Sequence, residues 1–139
     1  ARDFNAMRAA IRRETGSTQA IRAVIYPGYA SLDLPAEPTG KRAFNYYYDG
    51  ELGEPRKGQS TDERFDLARI DPAVMTKLVR QAKKTLVEDP TSWYVIISKP
   101  GPPFDNGAWF SAYASNDFSE SGYLQATLDG TVVNRYVSE

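Results

Sequence analysis

The chain has 139 residues, 41% hydrophobic and 25% charged, with a net charge of -1 and neither Cys nor His. This length fits one compact domain with its own core, residues 1–139, and the near-neutral charge gives no global field for nucleic acid. The missing residue types exclude thiol nucleophiles, disulfides, thiolate zinc sites, and Ser-His-Asp and Cys-His catalysis.

Taken in chain order, Asp3 is a predicted N-cap, followed by Phe4, Met7 and Ile11 at helical spacing and Gly16 as the C′ residue. Ala20 to Tyr26 reads as a strand. Pro27-Gly28 interrupts it with a bulge, a bend or a sheet edge, and Tyr29 to Leu34 resumes it. Lys41 to Tyr48 alternates Phe44, Tyr46 and Tyr48 against Asn45 and Tyr47, and Asp49-Gly50 suits a type I′ turn. Gly53 to Arg64 is polar and reads as a linker.

Asp71-Pro72 opens the clearest helix, with Ile70 placed to staple onto Met75. Val74, Met75, Leu78, Val79, Ala82 and Leu86 form its apolar stripe, and Asp89-Pro90 ends it. Trp93 to Ser98 is bulky on both faces, as a central strand should be. Lys99 to Gly107 is a loop, and Ala108 to Ser115 a strand with Trp109, Ser111 and Tyr113 on one face. Tyr123 to Leu128 and Thr131 to Val137 form a hairpin about Asp129-Gly130. A two-residue turn there pairs Ala126 with Val133, Leu124 with Arg135, Gln125 with Asn134 and Tyr123 with Tyr136, the Leu124, Ala126 and Val133 face being the core side.

Helix followed by strands and an Asp-Gly turn occurs twice, over residues 3–53 and 70–139, with Arg22 to Tyr26 aligned to Trp93 to Ile97. The pattern reads either as an internal repeat or as a common motif met twice. The expected fold class is α+β: an antiparallel sheet of about five to six strands with two helices on one face.

The first candidate is the tyrosine group Tyr26, Tyr29, Tyr46, Tyr47 and Tyr48, and the aromatic residues selected for binding are Tyr29, Tyr46, Tyr48, Trp109, Tyr113 and Tyr123. Tyr supplies rigid contact area and an orienting hydroxyl. The competing reading makes half of the tyrosines core and half ordinary strand surface. Trp109, behind Pro102, Pro103 and Phe104, reads as a binding lip or as a pinned loop. Asp117-x-Ser119-x-Ser121-Gly122 begins like a calcium loop, but Leu128 stands where the acid belongs, and Asp62, Glu63 and Asp66 read as a solvated cluster beside Arg64. No catalytic residue, metal site or cofactor is expected. Arg8, Arg12, Arg13, Lys77, Arg80, Lys83 and Lys84 make the outer helix faces basic, which suits anionic lipid or a wall polymer, or simple solvation.

The two Asp-Gly turns and their strands resemble the tandem helix–strand layout of the β-lactamase-inhibitor protein group and of PepSY-like domains of exported bacterial proteins. The inhibitor group's disulfides have no counterpart here. Val24-Ile25-Tyr26-Pro27-Gly28-Tyr29, Phe65-Asp66-Leu67 and Gly122-Tyr123-Leu124 resemble domains of uncharacterised exported or lipid-anchored actinobacterial proteins. That resemblance implies an extracytoplasmic or cell-surface address, with a cytoplasmic one still open, and no assigned activity. The chain begins at Ala1 rather than Met, as expected of a processed product or an excised piece, and no apolar run is long enough to span a bilayer. The expected function is binding or interaction without catalysis, the partner being another protein or a cell-envelope component. The alternatives are a small-ligand or enzymatic domain of cystatin or NTF2-like type using carboxylates and Tyr, and a structural or sensory domain on an upstream anchor.

Overall fold

The computed structural model describes residues 2–37, 39–100 and 107–137, the side chains of Arg2 and Asp3 excepted. The first helix, α1 (Arg2–Thr15), begins at Arg2 and so already includes Asp3. The capping role predicted for the Asp3 side chain lies outside the described residues. Gly16 ends the helix at φ 77°, and its N–H donates to the Arg12 carbonyl at 2.8 Å, the geometry that a residue without Cβ adopts at least cost. The chain then enters β1 (Gln19–Ala20) and, after Ile21, β2 (Arg22–Tyr26). The single strand predicted over Ala20 to Tyr26 is thus divided between two sheets. β1 pairs with β6 (Phe65–Asp66) in a two-stranded sheet, while β2 joins the main one.

The main sheet has eight strands, all antiparallel, where five to six were expected. Two misread segments account for part of the difference. Pro27-Gly28 is neither a bulge nor an edge. It is a tight turn with Gly28 at φ 87°, and it sets Tyr26 opposite Tyr29 at the start of β3 (Tyr29–Pro35). The predicted polar linker contains β5 (Arg56–Gln59), which pairs with β4 (Arg42–Tyr48). All four β5 residues are exposed, so this edge strand has no buried face to impose alternation on its sequence.

In the second half, α2 (Pro72–Thr85) starts as its sequence dictates: Asp71 accepts from the Ala73 N–H at 2.9 Å and Pro72 opens the helix. It ends at Thr85, with Leu86 as its cap, before the predicted Asp89-Pro90 stop. β7 (Ser92–Ile97), β8 (Phe110–Ser115), β9 (Ser121–Ala126) and β10 (Val132–Val137) follow as a meander. The sheet order is β10-β9-β8-β7-β2-β3-β4-β5, so β7 is central, as its two bulky faces required. Each half is one helix followed by four main-sheet strands, and the halves meet where β2 pairs antiparallel with β7.

Asp49-Gly50 is not the predicted type I′ turn, because Gly50 has positive φ, at 117°, and Asp49 does not, and at Asp129-Gly130 likewise only the glycine does, at 90°. At the second turn the Gly130 N–H donates to the Thr127 carbonyl and the Thr127 N–H to the Thr131 carbonyl, both at 3.0 Å. The loop is therefore Leu128-Asp129-Gly130, one residue longer than expected. Ala126 pairs with Val132, and a bulge at Val133 restores the predicted pairs Gln125–Asn134, Leu124–Arg135 and Tyr123–Tyr136. Val133, expected in the core, is exposed at the bulge.

One face of the main sheet carries Ala23, Leu32, Leu34, Val95, Ile97, Phe110, Ala112 and Leu124 into a core shared with Phe4, Met7 and Ile11 of α1 and Met75, Leu78 and Ala82 of α2. Gly122 lies on this face between Ala114 and Val137. A Cβ added there would stand 2.6 Å from the Tyr136 carbonyl and 3.3 Å from Leu86. Gly122→Ala should therefore lose about 1–3 kcal/mol through overpacking. Gly58→Ala, at an open position on exposed β5, should stay within about 0.5 kcal/mol of the parent. Urea unfolding of both variants checks this, and equal midpoints would contradict the close packing at Gly122.

Candidate functional site

The face of the main sheet opposite the helices is organised by tyrosine. Strand alternation aims Tyr26 (β2), Tyr29 (β3), Tyr47 (β4), Tyr94 (β7), Tyr113 (β8), Tyr123 (β9) and Tyr136 (β10) to that side. Register then aligns them: Tyr136 faces Tyr123, Tyr123 faces Tyr113, Tyr113 faces Tyr94, and Tyr26 faces Tyr29. The result is one row across seven adjacent strands, with Tyr47 stepped one rung because its partner is Ser31. Successive ring centroids along Tyr136–Tyr123–Tyr113–Tyr94–Tyr26–Tyr29–Tyr47 are 5.5, 5.4, 4.5, 5.6, 4.6 and 5.3 Å apart. That pitch follows the strand spacing of about 4.8 Å.

Four contacts are stacked, and two, Tyr26–Tyr94 and Tyr113–Tyr123, are tilted. The rings stand on the sheet with their faces turned to one another, so solvent meets ring edges and hydroxyls. Each contact of this kind is worth about 0.5–1.5 kcal/mol beyond area burial, so the row also braces the sheet. The row is half-buried within and opens at its flanks, where Tyr136, Tyr47 and Tyr29 are 53%, 50% and 39% exposed.

Its neighbours are polar and mostly uncharged. Asn134 donates to Gln125 at 3.1 Å and Gln125 to Ser111 at 3.4 Å, alongside Ile96, Val24 and Ser31 in the next rung. Ser92, Ser115 and Ser121 align on the other side. Arg22 and Asp33 pair one rung farther on, and Asn45 donates to Asp33 at 2.8 Å. Burial, followed by Tyr113 and Tyr26, raises the Tyr94 phenol above its usual range, with Arg22 opposing.

Of the residues chosen from sequence, Tyr29, Tyr113 and Tyr123 lie in the row. Tyr46 and Tyr48 do not: they share the inner face with Phe44, Tyr46 being buried in the core and Tyr48 packed against it. Burial, with Glu14 as a lesser cause, raises the Tyr46 phenol. Trp109 precedes β8 and departs from the predicted alternation with Ser111 and Tyr113. It packs edge-on to buried Phe65 at 5.7 Å, with the Arg69 guanidinium 5.0 Å over its ring. This is the geometry of a pinned anchor rather than a lip. Pro102, Pro103 and Phe104 lie outside the described residues.

Tyr26 and Tyr47, members of the wider tyrosine group, also lie in the row, whereas Tyr94 and Tyr136 were not among the candidates. The pairing of Tyr123 with Tyr136 was legible and gave the first step of the row. Phe118, on the β8–β9 turn, is also a large exposed apolar side chain, at 78%.

The other candidates resolve into structure. The calcium-like segment is held by buried Asn116, whose amide donates to the Glu88 carbonyl at 2.7 Å and to Glu120 at 2.9 Å. Its oxygen accepts from the Phe118 and Glu120 N–H groups. Among the described residues no three metal-ligating side chains gather. Asp66 leaves the expected solvated cluster. It caps the turn Leu67–Arg69, accepting from Ala68 N–H at 2.9 Å and from the Thr18 hydroxyl. Arg8 is not a free surface cation, since it donates to the Leu67 and Ile70 carbonyls at 3.2 Å. Arg12, Arg13, Lys83 and Lys84 stay exposed in the last turns of their helices, where they complement the dipole.

A cleft of about 410 Å³ opens beside the β2–β3 turn, lined from the helix side by Phe4, Met7, Met75 and Trp93 among others and also by Tyr26 and Tyr29 of the row. Its walls are largely apolar. Asp49 is its one carboxylate, an exposed residue in the β4–β5 turn.

Comparison with known proteins finds uncharacterised proteins from two strains of Mycobacterium tuberculosis. Each is 33% identical to this chain over 128 residues, covering 87% of the chain and 44% of the relative. The chain thus spans less than half the length of these relatives. No protein-family model and no solved structure matches it.

Two titrations check the electrostatics. Donation from Thr18, then from Ala68, lowers the Asp66 pKa, with Arg12 and Arg8 assisting against burial. A lowered folded pKa means stability that is present above the unfolded value of about 4 and lost as pH falls through the folded one. Thr18→Val should therefore shrink the loss of urea resistance below about pH 4, and an unchanged acid limb would count against the contact. For Tyr94 the shift is upward, so Tyr94→Phe should remove tyrosinate absorbance that develops above about pH 10. Amplitude lost at or below that pH would contradict the burial.

Proposed function

We propose that this domain is a non-catalytic binding module whose contact surface is the outer sheet face centred on the tyrosine row. The observation that carries this is the row itself: seven phenols aligned on seven strands, half-buried or exposed, on the face turned away from the helices. Tyr pairs large rigid area with a hydroxyl and costs little side-chain entropy to immobilise, which favours it at protein interfaces. The flanking Ser, Asn and Gln side chains add hydrogen-bonding capacity, and the scarcity of charge nearby favours a neutral, flat partner over an anionic one. Because ring faces are already occupied by neighbouring rings, contact is through edges and hydroxyls.

We take the partner to be another protein, or a component of the cell envelope, encountered outside the cytoplasm. The address rests on the resemblance to exported actinobacterial domains. No helix among the described residues is long and apolar enough to cross a membrane. A second reading, a small apolar ligand held beside the β2–β3 turn, is favoured by the 410 Å³ cleft.

Immobilised domain exposed to envelope and cytosolic extracts of its own cell separates these readings. Binding by an envelope component should disappear with Tyr47→Glu plus Tyr136→Glu, which charge the two exposed ends of the row, and survive Thr76→Arg, which obstructs the cleft. The opposite pattern, or capture confined to cytosolic extract, would overturn the proposal.

A further inference from the structure

The tyrosine row has a property that is independent of what docks on it. Phenols are oxidisable, and here each is in contact with the next across seven strands. The chain has no Cys to compete for an oxidant. Both of its Met residues, Met7 and Met75, are buried on the helix side. Trp93 and Trp109 are packed against the core on that same side. On the outer face the accessible oxidisable groups are the tyrosines, met first at Tyr136, Tyr47 and Tyr29. The two closest pairs, Tyr94–Tyr113 at 4.5 Å and Tyr26–Tyr29 at 4.6 Å, are also the most nearly parallel, both at 11°.

We propose that the row is a site of one-electron oxidation, in which oxidising equivalents entering at the exposed tyrosines pass from ring to ring and are fixed as an intramolecular tyrosine–tyrosine bond at Tyr94–Tyr113 or Tyr26–Tyr29. The oxidant is a peroxide-driven haem peroxidase or an equivalent one-electron acceptor. Each of two phenols gives one electron to the oxidant and its phenolic proton to water. The two neutral phenoxyl radicals couple through a Cε carbon of each ring, forming one C–C bond. Each coupled carbon then passes its hydrogen to the phenoxyl oxygen as the ring regains aromaticity. The net change is loss of two electrons and two protons, which convert one hydrogen peroxide into two waters.

Stacking supplies the proximity such a coupling needs, because two short-lived radicals on fixed neighbouring strands meet without diffusion. The product at Tyr94–Tyr113 is a covalent staple between β7 and β8 in the middle of the sheet, in a chain that has no disulfide to serve as one. The Tyr26–Tyr29 product would close the β2–β3 hairpin in the same way.

Brief treatment of dilute folded protein with a haem peroxidase and limiting hydrogen peroxide tests this, followed by isolation of monomer and peptide mapping by mass spectrometry. The expected product is monomer lighter by two hydrogens, with dityrosine fluorescence and a link joining the Tyr94 and Tyr113 peptides or bridging Tyr26 to Tyr29. Tyr113→Phe, which keeps the ring and the packing, should abolish the first link, and Tyr29→Phe the second. Unfolding in urea before oxidation should cut the monomer yield several-fold, since it separates the strands. The proposal is overturned if coupling gives only intermolecular dimers through Tyr136 or Tyr47, if oxidation goes mainly to Met or Trp, or if monomer links form equally well in urea or in the double Phe variant.

Discussion

The pairing of β2 with β7 is the contact on which the rest of this structure depends. It joins strands from the two halves of the chain, in the register Ala23–Ile97, Val24–Ile96 and Ile25–Val95. Without it the molecule would be two four-stranded meanders, each with an exposed inner edge. With it, one sheet carries a continuous core on one side and a continuous tyrosine row on the other. The register also decides the chemistry. The next rung brings Tyr26 beside Tyr94 at 5.6 Å and so connects the Tyr29–Tyr47 arm to the Tyr113–Tyr123–Tyr136 arm. A slip of one residue in this pair would turn Ala23 and Ile25 outward and break both layers at once.

What could be read from the sequence was local. The start of α2 was legible because Asp71, Pro72 and the apolar stripe all act within a few residues of one another. β7 was legible as central because its two faces are both bulky. The Tyr123–Tyr136 register was right although its turn was wrong: an extra loop residue and the bulge at Val133 offset each other. β5 was missed because an edge strand exposed on both faces leaves no hydrophobic signature. The tyrosine row was missed for a different reason. Alternation along one strand gives the side on which a ring stands, but the neighbour of each ring depends on strand order, and that order rests on a pairing between residues some seventy positions apart. Trp109 illustrates the limit of alternation itself, since one residue before β8 the backbone no longer imposes a side.

The two faces divide large and small side chains in a way that makes the row affordable. Under α2 the sheet presents Ala112, Ala114, Gly122 and Ala126, all buried. Small residues there let the helix lie close, and Leu78, Ala82 and Leu86 reach into the space left over. The same strands carry Tyr113 and Tyr123 on the reverse face. On β8 and β9 bulk therefore stands mainly outside, where the rings cover each other, while β7, bulky on both faces, is covered by the core on one and by the rings of Tyr113 and Tyr26 on the other.

Self-covering also lessens the aggregation hazard that so aromatic a row would otherwise carry. Exposed apolar patches of several hundred Å² invite association because flat ring faces are open to any apolar partner. Here most of each face is spent on the neighbouring ring, and what remains at the surface is edge and hydroxyl. A partner of the kind proposed would have to satisfy hydroxyls spaced at the strand pitch along a line, which is a directional requirement rather than a hydrophobic one. Only at Tyr136 and Tyr47, the two ends of the row, does a ring of the row lack a neighbouring tyrosine of the row on one side, whether stacked or tilted. A partner gaining ring-face contact would gain it at those ends, which span the full set of seven strands. That geometry favours a broad, flat partner bridging both ends over a compact ligand seated at the middle.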